Sequence, residues 1–310
     1  MFAGPRPDVP TASLASGRGG EGTEPSDVPE GDTIAQSAAT LAGVLVGRTV
    51  TGFNSPVPGV EARAASLGVV GSRVAAVEAR GKHLLIRFSR GGDGGAVLRT
   101  HMRMTGAWHL YRRGTRWQKP AGFARVILET GDVAAVCFSA PEVELLSAGQ
   151  VNGQAALRRL GPDLLAPAFD EAEALARLHA ASDMEIADAL LDQSIAAGIG
   201  NVYKSEVLFL ERVSPFARVA ALDDETLARL LRTARRQLRR NVGSSGRRTT
   251  PGGQRNALWV YDRAGRPCAR CDTPIRRVLQ GPHARSTYWC PTCQPDVPAA
   301  SVHASNSDGV

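Results

Sequence analysis

After Pro29-Glu30-Gly31-Asp32, the apolar residues Ile34, Ala38, Leu41 and Leu45 recur at helical spacing, which predicts one helix with Asp32 or Thr33 as its N-cap. From about residue 67 to 138 the pattern changes. Short β-branched runs at 73–77, 84–88, 96–100, 126–130 and 133–138 alternate with glycines, as in an antiparallel sandwich or barrel. From about 170 to 241 the period is helical again, including 185–191, 201–210 and 225–238. A Cys-rich module spans 259–294. The fold class predicted is therefore α+β with two domains. Residues 29–152 form a helix plus antiparallel β-sandwich and 153–250 a helical domain, the boundary falling within 153–170. A finger follows at 251–294. Residues 1–28 are rich in Gly, Pro and Ser without either period and read as a disordered extension, and 295–310 as a disordered tail.

Composition narrows the function classes. Hydrophobic residues make up 43% and charged residues 22% of 310, which excludes wholesale disorder and fibrous repeats. No apolar run approaches the roughly 18 residues of a membrane helix, so no membrane partner is expected. The net charge of +7 points to a polyanion. Residues 1–28 hold two arginines against four acids, so the remainder carries +9 and the basic character belongs to the fold. Only Lys82, Lys119 and Lys204 are lysines, against 34 arginines, which singles out each lysine for inspection. The first residues lack the apolar core of a secretory signal, so a cytoplasmic, reducing setting is expected, where clustered cysteines hold metal more often than disulfides.

The cysteine spacing is the strongest local signal. Cys268-Ala-Arg-Cys271 and Cys290-Pro-Thr-Cys293 are two CxxC knuckles separated by 18 residues, the spacing of a four-cysteine zinc site. Four protein thiolates leave no coordination position open for water, so one structural Zn²⁺ is expected. Cys137, in an apolar run, reads as a buried small hydrophobe. Between the knuckles, 275–279 and 287–289 can pair as a hairpin whose turn carries Arg285, placed for a phosphate contact or simply solvated. The turn Gly198-Ile-Gly200-Asn201 offers backbone N–H groups at a helix start to an anion such as a DNA phosphate, or is an ordinary packed helix hairpin.

Taken in order, Pro29-Glu30-Gly31, Gly81-Lys82-His83-Leu84-Leu85, His101-Met-Arg-Met-Thr-Gly106, Leu160-Gly161-Pro162-Asp163, Gly198-Ile-Gly200-Asn201 and Arg285-Ser-Thr-Tyr-Trp-Cys290-Pro-Thr-Cys293-Gln294 resemble the formamidopyrimidine-DNA glycosylase / endonuclease VIII family over residues 29–294. The resemblance implies a helix and β-sandwich, a helix-two-turns-helix domain and a zinc-ribbon finger, with damaged DNA bound by a monomer between the halves. It implies a bifunctional glycosylase and abasic-site lyase. Pro29 would be the nucleophile, Glu30 the proton donor, Lys82 and Arg285 catalytic phosphate contacts, and Asn201 a second clamp. Met104, with Arg103, would fill the gap left by an extruded base, and Arg159 would touch the backbone. The arginines of 232–240 read as a solvated helix face. Glu-Gly after the proline, and Phe138-Ser-Ala-Pro-Glu-Val-Glu-Leu-Leu146 where the formamidopyrimidine branch carries Arg-Arg-Phe, look like the endonuclease VIII branch. Oxidised pyrimidines are then favoured over 8-oxoguanine and formamidopyrimidines.

One departure concerns Pro29 itself. It is internal in the 310-residue chain, and an amide nitrogen cannot form the iminium. The expectation is that translation begins at Val28, decoded from GTG as initiator methionine and then removed. A chain that kept the extension could still be a damaged-DNA-binding protein without chemistry, and a basic zinc ribbon with a helical hairpin could alternatively serve RNA.

Overall fold

The computed structural model describes residues 28–90, 95–244, 246–252 and 257–296. The expectations for 1–27 and for the tail from 297 onward lie outside them. Helix α1 (Gly31–Leu45) buries Ile34, Ala38, Leu41 and Leu45 as its spacing predicts. Its N-cap is Glu30, two or three residues earlier than expected. The Glu30 N–H is accepted by Thr33 Oγ1 at 2.8 Å, while Asp32 is engaged elsewhere.

Strand β1 (Gly52–Asn54) and helix α2 (Val60–Ser66) lead into β2 (Arg73–Arg80), β3 (His83–Ser89), β4 (Gly95–His101), β5 (Ala107–Arg112), β6 (Ala124–Thr130), β7 (Val133–Phe138) and β8 (Glu142–Ser147). Two four-stranded sheets result, ordered β1-β6-β7-β5 and β2-β3-β4-β8, with antiparallel pairing throughout. Leu84, Ile86, Leu98, Trp108, Leu110, Val126, Leu128 and Cys137 fill the space between them. Cys137 is fully buried, as its run suggests. Strands β1, β5 and β8 and helix α2 were not among the expected elements. In β5, Ala107 to Tyr111 are all buried, so no alternation marks it. One side faces the sandwich through Trp108 and Leu110, and the other joins Tyr111, Trp117 and Phe138 in a separate aromatic cluster.

Short helices α3 (Ala148–Val151) and α4 (Ala155–Arg158) connect to α5 (Glu171–Ala180), α6 (Ile186–Leu191), α7 (Asn201–Leu210) and α8 (Asp224–Asn241). Asp223 caps α8 through Thr226 N at 2.7 Å. Leu178, Ile186, Leu190, Tyr203, Leu208, Leu227, Leu231 and Leu238 form the core of this unit. The finger is a hairpin of β9 (Arg276–Gln280) and β10 (Arg285–Trp289), in which Arg285 pairs with Gln280. No helix among the described residues is long and apolar enough to cross a membrane.

Candidate active site between the two halves

Helix α7 has eight consecutive buried residues, Val202 to Phe209. A helix apolar or occupied on every side must be surrounded by the protein, and its N-terminus meets α1 at the floor of a cavity of about 320 Å³. The four residues for which catalytic roles were expected, Pro29, Glu30, Lys82 and Arg285, all line it, together with Asn201, Arg103 and Met104. They come from α1, the β2–β3 turn, the β4–β5 loop, α7 and the finger hairpin.

The Glu30 carboxylate is held by the start of α7. Its Oε1 accepts Val202 N–H at 2.7 Å, and its Oε2 accepts Gly200 N–H at 2.9 Å and Tyr203 N–H at 3.4 Å. Gly31 N–H also donates to Gly198 O at 2.9 Å. Two glycines permit this approach. A Cβ on Gly200 would lie 2.3 Å from the Glu30 Cδ, and one on Gly31 would lie 3.0 Å from Gly198. The anion that receives the Gly198–Asn201 turn is therefore the protein's own carboxylate, not a DNA phosphate, and its Oε1, with one of these donors against two on Oε2, keeps the greater accepting capacity.

Behind it, Asp32 is paired with Arg247 at 2.7 and 2.9 Å and accepts the Tyr203 hydroxyl at 2.7 Å, all three groups being buried. Arg247 also donates to Val28 O at 3.1 Å. The first turn of α1, and with it Pro29, is thus tied to both α7 and the segment beyond α8.

Lys82 sits in the β2–β3 turn. Gly81 takes the positive φ of +57° that the turn needs, and its N–H is accepted by Asp163 Oδ2 at 2.6 Å. This gives the Leu160-Gly161-Pro162-Asp163 motif its task. Lys82 Nζ makes no hydrogen bond or ion pair among the described residues, and burial lowers its pKa to about 8, with Arg285 and Arg247 acting in the same direction and Glu30 opposing them. Asn201 donates through Nδ2 to Ser286 O at 2.8 Å, leaving its buried Oδ1 unpartnered among the described residues. Lys204 Nζ donates to the same carbonyl at 3.1 Å and to Thr287 Oγ1 at 2.7 Å. These bonds fix the residue next to Arg285, whose exposed guanidinium makes no internal ion pair among the described residues.

The β4–β5 loop presents Met104, 45% exposed. Arg103, at φ +45°, is ion-paired with Glu142 at 2.7 Å, so its charge is partly committed within the protein. Arg159 is exposed beyond α4 and does not line the cavity. On α8, Arg232 pairs with Glu171 at 3.0 Å and Arg235 donates to Leu164 O and Pro167 O, a solvated face with local partners.

The four finger cysteines bring their Sγ atoms within 4.8 Å of one another. Individual pairs lie at 3.4 Å (Cys271–Cys290 and Cys271–Cys293) and 3.9 Å (Cys268–Cys293). Four sulfurs about 2.3 Å from a tetrahedral Zn²⁺ stand about 3.8 Å apart, so the donor set fits.

Known domains match this arrangement in order. The formamidopyrimidine-DNA glycosylase N-terminal domain matches residues 28–142, the formamidopyrimidine-DNA glycosylase H2TH domain 160–251, and the zinc finger found in FPG and IleRS 265–295. The chain is 43% identical to the probable endonuclease 8 2 of Streptomyces coelicolor over 270 residues, covering 86% of this chain and 94% of that protein. It is 40% identical to the DNA-(apurinic or apyrimidinic site) lyase Nei2 of Mycolicibacterium smegmatis over 269 residues, covering 86% and 99%. This chain belongs to the formamidopyrimidine-DNA glycosylase / endonuclease VIII family. Among solved family structures, a complex of the Lactococcus lactis Fpg with DNA containing an abasic site superposes with a TM-score of 0.72 at 25% identity, over 86% of this chain and all of that one.

The finger holds one structural zinc on Cys268, Cys271, Cys290 and Cys293. Three residues in this member escape sequence reasoning. Arg247 stands in a Gly-Ser-Arg-Thr stretch among 34 arginines, with nothing local to distinguish it. Glu206 is fully buried and accepts N–H groups of Trp259, Val260 and Tyr261, each at 2.8 Å, as well as the Thr249 hydroxyl. Its signal was a lone acid in an otherwise apolar helix stretch. Phe123, 56% exposed, belongs to a loop joined to the one bearing Met104 through Ser139, since Thr105 Oγ1 donates to Ser139 O at 3.2 Å and Ser139 N–H to Phe123 O at 2.8 Å.

Proposed function

We propose that this chain is a bifunctional DNA glycosylase and abasic-site lyase of base excision repair, with oxidised pyrimidines preferred and with Pro29 as nucleophile once its nitrogen is free. The observation that carries the reading is the convergence of Pro29, Glu30, Lys82 and Arg285 on one cavity between the helical unit with its finger and the β-sandwich. An α-amino group titrates near pH 8, so an unacylated proline is substantially neutral and nucleophilic at physiological pH. Its attack on the sugar C1′ expels the damaged base. The secondary amine then leaves an iminium that cannot lose an N–H, and this electron sink permits β- and δ-elimination of the flanking phosphates. Glu30 supplies the proton to the ring oxygen. Lys82 and Arg285 neutralise phosphate charge, and Asn201 positions the clamp. Met104 fills the stack behind the extruded nucleotide, with Arg103 and Arg159 as lesser backbone contacts.

The form in which Pro29 is the nucleophile begins at that residue, translation starting at Val28. Support for this comes from the family's N-terminal domain, whose match begins at residue 28. The enzyme acts as a monomer on damaged DNA in the cytoplasm. Borohydride reduction with abasic DNA tests the chemistry. Protein beginning at Pro29 should be captured covalently through its N-terminus and should cut single-lesion oligonucleotides, pyrimidine lesions fastest. Intact mass of the native protein tests the start. A chain that shifts DNA but is never captured is a binding protein, and the proposal fails.

A further inference from the structure

Besides an N-terminal amine, three side chains in this protein could form an imine: Lys82, Lys119 and Lys204. Lys204 is 1% exposed, and its ammonium is bonded to Ser286 O and Thr287 Oγ1. Lys119 belongs to the loop that lines a separate surface hollow with Arg116 and Trp117. Lys82 alone lines the cavity that also holds Pro29, Glu30 and Arg285. It is carried on a turn made rigid by the Gly81–Asp163 bond, and no partner among the described residues occupies its Nζ.

We propose that in the 310-residue chain, where Val28 acylates Pro29, the Lys82 amine is the nucleophile at an abasic sugar, so that the extended form is itself a lyase. This rests on the reading that the cavity receives an opened deoxyribose. The pKa near 8 supports it. About one Lys82 in ten is neutral at pH 7, against roughly one in three thousand for a solvated lysine. The cause is burial, and activating a lysine by desolvation is a general device for imine chemistry.

The step closes chemically. The neutral amine adds to the C1′ aldehyde of the opened abasic sugar, and the carbinolamine leaves as water, giving a protonated imine. A C2′ proton passes to a carboxylate, for which Glu30 is at hand, and the electron pair moves toward the cationic nitrogen. The resulting enamine expels the 3′ phosphate by breaking the C3′–O bond, and water hydrolyses the conjugated imine, freeing Lys82 and leaving an unsaturated aldehyde on the sugar. No oxidant, reductant or metal takes part.

The test uses the full chain, verified as 310 residues by mass before and after reaction, mixed with an oligonucleotide holding one abasic site and reduced with borohydride. The expected result is a covalent adduct that maps, after proteolysis, to the peptide containing Lys82. Its rate of formation should rise with pH through about 8. Lys82→Arg keeps the cation but forms no imine, and it should lower capture by about 100-fold or more. Mapping the unsubstituted chain does not depend on the variant's folding. An adduct on any other residue overturns the inference. So does a full chain that stays free while protein beginning at Pro29 is captured. If neither form is captured, the function proposed above falls with it.

Discussion

Replacing Arg247 by methionine should destabilise this protein by about 3–5 kcal/mol, the cost of leaving one charge of a buried pair unmatched. The structure supports the upper part of that range. Asp32 and Arg247 are 2% and 3% exposed, with two N–O contacts at 2.7 and 2.9 Å. The guanidinium also stands 5.1 Å from the Tyr203 ring and donates to Val28 O. Methionine would fill much of the volume but leave Asp32 with the Tyr203 hydroxyl and no counter-charge. At roughly 2–4 °C per kcal/mol for a chain of this size, the melting temperature should fall by about 10 °C. Calorimetry at pH 7 measures this, and a double-mutant cycle with Asp32→Asn isolates the pair. Neutralising Asp32 in the Arg247→Met background should recover part of the loss, giving a coupling of about 2 kcal/mol or more. A loss under about 1 kcal/mol for Arg247→Met, or losses that simply add, would refute the account of α1 as electrostatically anchored.

The buried histidines predict acid sensitivity. Burial lowers His83 to about 3, helped by His101 and Arg99, and His109 to about 4, helped by Lys119. The folded state therefore disfavours their protonation. This stability is present above pH 6.5 and is lost as pH falls from there toward 4, at up to about 1.4 kcal/mol per histidine per pH unit. Urea unfolding at pH 7 and 5 measures it, and equal stabilities would contradict the burial argument. Cys293→Ser, or chelation of zinc, should unfold the finger and carry Arg285 away. Binding to duplex with a tetrahydrofuran site should be lost while the near-ultraviolet signal of the β-sandwich persists; binding within twofold of the wild type would show that the finger is dispensable. Met104→Ala should lower nicking of duplex more than of single strand, by about tenfold or 1.4 kcal/mol, and an equal effect on both would make Met104 a packing residue.

Much of the fold is legible because periodicity is a local property. Ile34 to Leu45 and Asn201 to Leu210 each carry helical patterning within one element, and the four cysteines carry their geometry in their spacing. What stayed hidden depends on distant partners. Strand β5 loses its alternation because a loop bearing Trp117 covers its second face. The Gly198–Asn201 turn advertises an anion site, but its occupant lies 170 residues earlier at Glu30, and nothing local can name it. The pairing of Asp32 with a residue 215 positions away is equally silent in sequence. Lys82 is marked by the scarcity of lysine and given its role by the family resemblance, whereas its lowered pKa comes from burial that only assembly creates.

Helix α7 is where these long-range ties converge. Its first turn receives Glu30, Tyr203 reaches Asp32, Asn201 and Lys204 hold the finger hairpin, and Glu206 gathers the segment entering the finger. Ten residues thus act as a common axle, and the reach from the proline to the phosphate-gripping arginine is set by a stiff rod instead of a hinge. Transplanting this finger or this sandwich onto another scaffold would have to carry the axle along, with the sockets at both of its ends.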